Sequence, residues 1–371
     1  MDNLERLLKE SWVLVEDSRD RLVSHFYSRL FLDQPGLRNL FPAQMAPQHD
    51  RLLEALVTTI QIVGDPERFD TTLRALGRDH RRFHLRDEHF DAVGEALLDA
   101  LASVAGKHWN DEYQQAWAGA YAAIADRMRA GAAEATEPAF WNAEVLTHER
   151  RGRDLAVITC RPLLDRLDYR AGQHVSVEVP RFLPRVWRTY AIANAPTDDN
   201  VLEFHVRVPR ESWVSAALVR RTKPGHLLRL AAPTGAMTLN RDSSRDILCV
   251  AGGVGIAPIK ALVQEVARYN RTRWVHVFYG ARRWDDLYGL AEFQQLLSDY
   301  PWLSVVPVCS KDPDFTGEQG QVSEVFTRFG PWTEHDCFVA GSGPMVRATL
   351  GALAADGVPP EQIRYDSFGD Y

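Results

Sequence analysis

The sequence predicts a multidomain protein, in which an all-α domain precedes an antiparallel β-barrel and then an α/β domain with a parallel sheet. Three observations support this order: helical apolar periodicity in the first third, short β-branched runs separated by turns in the middle, and alternating strands and helices at the end. A chain of 371 residues is also too long for one ordinary domain. We expect domains at residues 1–135, 139–240 and 245–371.

The first domain is predicted to be helical almost throughout, because its apolar residues recur at helical spacing. These residues include Leu4, Leu7, Leu8, Trp12, Leu22, Phe26, Leu30, Leu53, Leu56, Ile60, Val93, Leu97 and Leu98. Pro35, Pro42 and Pro47 force turns between the second and third helices. The segment 131–138 is rich in small residues and ends at Pro138, which indicates a frayed helix end and a linker.

The other two domains are predicted from strand-like runs. Strands at 141–145, 155–160, 174–179 and 202–208 are separated by short turns, as in an antiparallel barrel or a sandwich, and we expect a barrel. Further on, strands at 247–251, 274–279, 303–309 and 337–340 alternate with helices at 259–269, 290–297 and 345–355. That alternation indicates a parallel sheet with helices on its faces.

Composition excludes several classes of function. The net charge of −7 gives no general affinity for nucleic acid. The four cysteines are widely scattered and form no C-x-x-C pair, so a cysteine-ligated zinc or iron–sulfur site is not expected. The sequence has no apolar run of membrane-spanning length, and its first residues lack a signal peptide's apolar region. We therefore expect a cytoplasmic protein without a membrane span.

A glycine-rich turn follows the strand at 247–251. It comprises Gly252, Gly253, Val254, Gly255, Ile256, Ala257 and Pro258, and a helix begins within it. Glycines let backbone N–H groups approach a phosphate, and the helix N-terminus adds favourable dipole charge. The spacing G-G-x-G-x-x-P resembles that of flavin reductases of the ferredoxin-reductase type. This resemblance implies a nicotinamide nucleotide at the turn and a flavin on the barrel.

Three segments of the barrel resemble the flavin-binding motifs of those reductases. Arg188, Thr189, Tyr190 and Ala191 resemble the signature R-x-Y-[ST], in which arginine pairs with the flavin diphosphate and the aromatic ring lies along the flavin. Ala191 departs from the pattern, since it lacks the hydroxyl expected near the reactive flavin nitrogen. A turn ending in His174 resembles P-G-Q-x, which borders the flavin, and Val214 and Ser215 resemble the V-S-x turn that holds the diphosphate.

The last domain carries further resemblances to a nicotinamide-binding module. Gly280 ends the second predicted strand, where the adenosine half of a nicotinamide nucleotide would lie. Arg282 and Arg283 favour NADPH there, whereas Asp285 and Asp286 favour NADH. We expect NADH. Gly341, Gly343 and Pro344 resemble the C-G-P-x-x-M motif, with alanine in place of the cysteine. Asp366, Ser367, Phe368 and Gly369 resemble the terminal E-x-F-G, whose aromatic ring covers the flavin. An ordinary apolar anchor is the alternative for Phe368.

The helical domain resembles a globin. Tyr27 lies in a segment like H-F-Y-x-R-[ML]-F, Phe41 in a corner like P-x-L-x-x-[IL]-F, and His80 aligns with the proximal iron ligand. Haem iron needs an imidazole on one side and an apolar slot on the other, which Leu52 and Leu56 can line. His49, His84 and His89 are alternative metal-binding histidines. With the reductase part, essentially the whole chain resembles the flavohaemoglobins.

Three positions depart from the flavohaemoglobin pattern. Phe90 and Ala132 replace the tyrosine and glutamate that usually surround the proximal histidine, and Leu52 replaces the distal glutamine. Hydrogen bonds from that proximal shell make the imidazole more anionic. We therefore expect a more neutral imidazole and slower turnover.

The resemblance implies an enzyme with haem b, FAD and NADH, or NADPH, as cofactors. Its activity would be nitric oxide dioxygenation, in which NO and O₂ become nitrate, with Tyr27 donating a hydrogen bond above the iron that His80 holds. Two alternatives stay open: a haem-linked reductase with another acceptor, such as peroxide, quinone or an electron carrier, and a sensor that binds O₂ or NO. The expected partners are these gases and a nicotinamide nucleotide.

Overall fold

The computed structural model describes residues 2–41, 45–209, 212–269 and 272–368. The chain divides into two compact units. The first comprises Met1–Phe140 with Pro184–Val186, and the second comprises Trp141–Leu183 with Trp187–Tyr371. The predicted helical segment is thus the first unit, and the two β-containing segments share the second. The three predicted domain ranges stay predictions.

The first unit is built from helices joined by short 3₁₀ turns. In the described residues these are α1 (Asp2–Val13), α2 (Arg19–Asp33), α3 (Ala46–Ile62), α4 (Pro66–His80), α5 (Asp87–Ala105) and α6 (Asp111–Glu134). Apolar residues of α1, α2, α3, α5 and α6 form the main core, which confirms the helical periodicity in the sequence. Prolines begin α4 and the 3₁₀ turn that follows α2.

Two glycines let α4 and α6 pack with their backbones in contact. A Cβ atom at Gly77 would lie 2.0 Å from the carbonyl oxygen of Met128, and one at Gly131 would lie 2.2 Å from that of Arg74. Any larger side chain would push the helices apart. This close crossing fixes the last turn of α4, where His80 lies.

The antiparallel sheet of the second unit contains β1 (Trp141–Arg150), β2 (Leu155–Pro162), β3 (His174–Val179), β4 (Leu183–Ala191), β5 (Leu202–Arg207) and β6 (Leu227–Leu230). Its order is β4-β3-β6-β1-β2-β5. Helix α7 (Trp213–Arg220) follows β5, so the turn predicted at residues 214–216 was wrong: Val214 and Ser215 lie in the first helical turn. Ser212 caps that helix by accepting a hydrogen bond from the Ser215 amide.

The parallel sheet has the order β10-β9-β8-β7-β11-β12. Its strands are β7 (Asp246–Gly252), β8 (Val275–Ala281), β9 (Leu303–Cys309), β10 (Glu318–Gln319), β11 (His335–Ser342) and β12 (Ile363–Phe368). The helices are α8 (Ile256–Tyr269), α9 (Leu290–Asp299), α10 (Val322–Val325) and α11 (Gly343–Ala355). The predicted alternation of strands and helices is confirmed.

Two further findings concern the whole of the described chain. All four cysteines are buried free thiols. Among the residues whose positions are described, no helix combines the length and apolarity needed to cross a bilayer.

Candidate functional site

Three strands of the parallel sheet end side by side in glycine-containing turns. Gly252 at the end of β7 pairs with Gly280 of β8, and the preceding Ala251 pairs with Ala340 of β11. The strand order reverses between β7 and β11, and parallel sheets bind their ligands at the carboxyl ends of strands beside such a reversal. The fold therefore places the predicted nucleotide-binding segments at one edge.

The turn after β7 requires its glycines. Gly253 has φ of +56°, a left-handed conformation. A Cβ atom at Gly255 would lie 2.1 Å from the carbonyl oxygen of Ala340, so only glycine allows the turn to pass this close to β11. Helix α8 begins directly afterwards at Ile256. The turn thus presents main-chain N–H groups and a helix N-terminus, which fit a nucleotide diphosphate.

The other residues predicted at this edge have different roles. Val254 is half-buried, whereas Ile256, Ala257 and Pro258 are buried within the second unit, so their side chains serve packing. Gly280 is needed for packing too, because a Cβ atom there would lie 2.6 Å from Cβ of Val322.

The second glycine turn lies beside the first one. Gly343 and Pro344 begin α11, which places a second helix N-terminus there. A Cβ atom at Gly341 would lie 2.8 Å from Sδ of Met345, and Met345 also lies beside Gly252. The two turns therefore form one continuous glycine-lined edge.

The predicted flavin-binding residues lie on two paired strands and the helix beside them. His174 at the start of β3 pairs with Ala191 at the end of β4. The Tyr190 hydroxyl lies 2.8 Å from Oγ of Ser215, and Ser212 donates its own hydroxyl to the same oxygen at 2.9 Å. This chain of hydroxyls holds the Tyr190 ring against the N-terminus of α7. Ser212 escaped the sequence analysis, although Ser-x-x-Ser before an apolar run is a helix-start signal.

Arg188, the cationic member of the motif, fits a flavin diphosphate. Arg188 is half-buried and donates to the carbonyl oxygen of Trp187 at 2.9 Å, which orients its guanidinium while leaving further N–H donors. Thr189 is exposed on the opposite face, where its hydroxyl lies 3.4 Å from that of Ser176. Thr189 therefore points away from the Arg188 and Tyr190 side of the strand.

The C-terminal strand reaches the flavin-binding segment. Nδ1 of His174 lies 3.5 Å from a carboxylate oxygen of Asp366 on β12. Phe368 ends that strand partly buried against the core of the second unit, and Ser367 is exposed. Gly369 lies outside the described residues. Asp366 stands at the acidic position of the terminal motif, but the sequence did not predict its contact with His174, which lies almost two hundred positions earlier in the chain.

In the first unit, the residues predicted on the distal side of haem share one apolar cluster. Tyr27 and Leu56 are buried in it, and Phe41 and Leu52 pack against it partly buried. The Tyr27 ring contacts the Phe41 ring edge-on, with 5.5 Å between centroids, and stacks on the His49 imidazole at 5.2 Å. The structure thus brings all four of these residues together and adds His49.

The Tyr27 hydroxyl is a poorly satisfied donor. It lies 3.4 Å from the backbone carbonyl oxygen of Gln48, which is long for a hydrogen bond between oxygens. Burial raises the pKa of Tyr27 to about 12, against a smaller opposing effect of that contact, so the phenol keeps its proton. A buried O–H with a weak partner fits a ligand acceptor placed beside it.

His80 lies at the C-terminal end of α4. Its Nδ1 is 2.8 Å from the carbonyl oxygen of Leu76, and its ring contacts Phe83 edge-on. A carbonyl only accepts, so Nδ1 carries the proton and Nε2 keeps its lone pair. Burial lowers the pKa of His80, which favours the neutral imidazole that a metal requires.

The alternative histidines are engaged in local structure. Nδ1 of His89 accepts a hydrogen bond from the Arg86 amide at the start of α5. His84 adopts a left-handed backbone conformation and contacts Phe140 edge-on. Both line a cavity of about 220 Å³, together with Gln34, Gly36, Leu37, Leu40 and Arg86. Two of these lining residues are close in sequence to predicted haem residues, since Leu40 precedes Phe41 and His84 lies four residues after His80.

The residues fit all three cofactors. His80 supplies an imidazole lone pair for haem iron, Arg188 and the start of α7 suit a flavin diphosphate, and the Gly253 turn suits a nicotinamide nucleotide. His80 lies in the first unit, and the flavin and nucleotide segments lie in the second.

Comparison with known proteins agrees with this assignment. The sequence matches three family models in chain order: Globin over residues 24–128, Oxidoreductase FAD-binding domain over residues 144–239, and Oxidoreductase NAD-binding domain over residues 249–350. Flavohemoproteins of Bacillus subtilis and Halalkalibacterium halodurans are 22% and 25% identical, and each match covers 98% of this chain and 96% of the relative. The reductase part also resembles the xylene/toluene monooxygenase electron transfer component of Pseudomonas putida, which is 33% identical over 53% of this chain and 57% of its own length.

A solved structure shows the same architecture. The flavohemoglobin from Malassezia yamatoensis with bound FAD and heme aligns over 100% of this chain and 99% of its own, with a TM-score of 0.82 and 17% identity. The chain therefore combines a globin domain with FAD- and NAD-binding oxidoreductase domains in the order found in flavohemoproteins, and it is an oxidoreductase of the type that passes electrons from NAD(P)H through FAD to haem.

Proposed function

We propose that this protein is an NADH-dependent nitric oxide dioxygenase. It takes O₂ and NO as substrates and releases nitrate, and each nitrate formed consumes one electron. NADH supplies two electrons as a hydride, and the flavin passes them on singly because it is stable in three redox states. The proposal places the protein in the cytoplasm, where reduced nicotinamide nucleotides are made.

The observation that carries this proposal is the buried Tyr27 hydroxyl. It is a protonated donor in an apolar cluster with Leu52, Leu56 and Phe41, and its contact with Gln48 is weak. Haem held by His80 would supply an iron that binds O₂ or NO. An oriented O–H donor in a site of low polarity stabilises developing negative charge strongly. Its presence favours reaction with O₂ over simple electron transfer.

The proximal side is proposed to moderate this activity. Nδ1 of His80 donates to the neutral carbonyl oxygen of Leu76, so no carboxylate is needed to explain its orientation. Phe90 carries no side-chain donor, and its carbonyl accepts from the Tyr121 hydroxyl at 2.6 Å; Ala132 is apolar as well. Such an imidazole donates less electron density to iron than one bonded to a carboxylate. We expect an iron–histidine stretch in resonance Raman spectra that is lower than in strongly imidazolate-like haems; an equally high frequency would refute this.

The test is steady-state consumption of NADH by the purified protein with each gas added separately and then together. The proposal expects rapid consumption only when NO and O₂ are both present, with nitrate formed at two molecules per NADH. NADPH is compared under the same conditions, since Arg282 and Arg283 are exposed after β8 whereas Asp286 lies 3.8 Å from Arg207. NADH is expected to be the better donor.

A second candidate is a haem-linked reductase that delivers electrons to another acceptor, such as peroxide, quinone or a soluble carrier. Two observations favour it: leucine stands at position 52, where flavohaemoglobins usually have a distal glutamine, and the reductase part is similar to electron transfer components of monooxygenases. NADH oxidation that is indifferent to NO would select this candidate. Gas binding without NADH oxidation would indicate a sensor.

A further inference from the structure

The second unit has a flavin-binding half, which contains β1–β6 and α7, and a nucleotide-binding half, which contains β7–β12 and α8–α11. The nucleotide-binding half covers the polar face of β5, an edge strand of the antiparallel sheet. In β5, Leu202, Phe204 and Val206 are buried on the barrel side. Glu203 and His205 alternate with them and point to the opposite face, which in such a sheet is commonly solvated. Here the His205 side chain is only 1% exposed and that of Glu203 19%. The cover comes from α8 and the segment that leads into α9.

Lys260 of α8 meets this face with a buried charge. Its Nζ lies 2.7 Å from Oε1 of Glu203 and also contacts Oε2 of Glu292, and its side chain is 10% exposed. Burial opposes the charge of Lys260, but the two carboxylates outweigh burial and raise its pKa. A buried lysine is tolerated only with such partners, so this ion pair ties α8 to β5.

His205 completes the contact between the two halves. Its Nε2 lies 2.6 Å from Oε1 of Glu203, and its Nδ1 lies 2.9 Å from the Tyr288 hydroxyl. The carboxylate only accepts, so Nε2 carries a proton, and Nδ1 pairs with the phenol. Both ring nitrogens of His205 are thus satisfied, and the side chain of Glu203 is held in one orientation.

The main chain of Glu203 holds the segment that follows the flavin motif. Its carbonyl accepts from the Ala193 amide at 2.8 Å, and its own amide donates to Oδ1 of Asn194 at 2.8 Å. Ala193 and Asn194 follow Ile192, the first residue after β4, which ends at Ala191. Glu203 therefore contacts the flavin segment through its backbone and the nucleotide-binding helix through its side chain.

Two more residues of α8 bond to the flavin-binding half. Oε1 of Gln264 accepts from the Ala195 amide at 3.0 Å, and Oε2 of Glu265 accepts from the Ala171 amide at 3.2 Å. Gln264 lies one turn after Lys260, so one face of the helix makes a row of polar contacts. The glycine turn lies at the N-terminus of this helix, and any shift of α8 moves the turn with it.

We propose that Lys260 and Glu203 are positioning residues for hydride transfer: their buried ion pair fixes α8, and with it the nucleotide-binding turn, against the segment that follows the flavin-binding strand. Hydride transfer depends steeply on the distance between donor and acceptor carbons, so a loosened helix slows the step more than it weakens binding. This positioning role concerns flavin reduction by NADH, and it is the same whichever acceptor follows haem.

A metal ion is the rival explanation for this cluster. Glu203, His205 and Glu292 offer ligand atoms that all lie within 4.8 Å of one another. The ammonium of Lys260 already contacts both carboxylates and supplies the compensating charge. A metal would have to displace it, so the geometry favours a direct ion pair.

The test compares full-length holoprotein carrying Lys260→Met or Glu203→Gln with a matched control, Arg328→Met, which removes an exposed ion pair with Glu318 in the same unit. Flavin reduction by NADH is followed anaerobically in a stopped-flow instrument. We expect the limiting rate to fall ten-fold or more in both variants, the NADH dissociation constant to change less than three-fold, and the primary isotope effect with deuterated NADH to rise. Lys260→Arg should restore part of the rate, and Arg328→Met should match the wild type.

A second readout separates positioning from general destabilisation. Hydrogen exchange should be faster in the variant holoproteins than in the wild type at the start of α8 and at residues 193–195. Their FAD content and haem spectrum should match those of the wild type. Limiting rates equal to the wild type in soluble, FAD-loaded variants would overturn the proposal. So would loss of activity on dialysis against a chelator with recovery on adding Zn²⁺, which would identify the cluster as a metal site. If Lys260→Met yields no protein, Glu203→Gln and Lys260→Arg decide the matter.

Discussion

Tyr27 is a phenol surrounded by apolar and aromatic side chains, and among the described residues its hydroxyl makes a long contact with the Gln48 carbonyl. This contact contributes little hydrogen-bond stabilisation to the protein itself. A hydrogen bond to a partly charged acceptor is worth about 1.5–3 kcal/mol, which corresponds to a ten-fold or larger effect on ligand release. A ligand acceptor beside this hydroxyl would therefore gain a hydrogen bond.

Tyr27→Phe should keep the ring contacts with Phe41 and His49 and remove only the donor. We expect the rate of O₂ dissociation from the reduced protein to rise about ten-fold or more, with little change in thermal stability. Flash photolysis or stopped-flow displacement by CO measures this rate. CO binding serves as the internal control, because CO carries less charge than O₂. An unchanged O₂ dissociation rate would show that the hydroxyl does not reach the ligand.

At the scale of elements, the glycine turn between β7 and α8 is fixed by its neighbour β11. Gly255→Ala places a Cβ atom against the carbonyl oxygen of Ala340, and backbone cannot yield as a side chain can. We expect NADH affinity to fall at least ten-fold and stability to fall by about 2 kcal/mol. Calorimetric titration and thermal unfolding measure the two effects.

Gly351→Ala is the matched control for that variant. Gly351 lies inside α11 with open space around its Cβ position. Alanine is the better helix former, so stability should rise by about 0.5–1 kcal/mol while NADH binding stays unchanged. Normal NADH binding by the Gly255 variant would contradict the role assigned to the turn.

Much of this architecture follows from local pattern. The strand 174–179 was predicted with its observed ends, since its alternating valines and the flanking Gln173 and Pro180 mark it. Short elements were missed: β6 has four residues, and α7 was taken for a turn because its first residues resemble a flavin-binding turn and the cap at Ser212 was overlooked. The pairing of Glu203 with Lys260 could not be predicted from the sequence. It arises where α8 packs on β5, and such a contact between distant segments leaves no periodic pattern in the sequence.

The ion pair between β5 and α8 also makes a prediction about acid stability. Burial disfavours the ionised form of Glu203, but the hydrogen bond from His205 and the charge of Lys260 outweigh it and lower the pKa to about 2, from an ordinary 4.5. A carboxyl whose pKa is depressed by folding stabilises the protein above its unfolded pKa and loses that contribution as the pH falls. The difference corresponds to about 3 kcal/mol at neutral pH.

We expect the thermal stability of the wild type to exceed that of Glu203→Gln at pH 7 and the two curves to converge between pH 4.5 and 2. Glutamine does not titrate, so the gap reports on this carboxyl with its neighbours His205, Lys260 and Glu292. Differential scanning calorimetry at several pH values measures it. A gap that stays constant down to pH 3 would mean that Glu203 is not held as the charged partner.

At the scale of the whole molecule, the two units contribute separable steps. The second unit contains the flavin and nicotinamide segments, and the first contains His80 and Tyr27. A change confined to the iron ligand should therefore leave the hydride step intact. Spectroscopy distinguishes the steps, because flavin and haem absorb at different wavelengths.

His80→Gly removes the imidazole whose Nε2 lone pair is available for iron, while glycine at the end of α4 adds no new ligand. With no external ligand present, we expect haem content to fall to a small fraction of the wild-type level and NADH to bleach the flavin at a normal rate under argon. In the wild type, flavin bleaching should precede a shift of the Soret band, since electrons reach the haem through the flavin. Added imidazole should restore part of the haem and its reduction, as it replaces the missing ring. Haem content and iron reduction equal to the wild type in the variant would show that another residue holds the iron, and His84, at the cavity beside the site, would be the next to test.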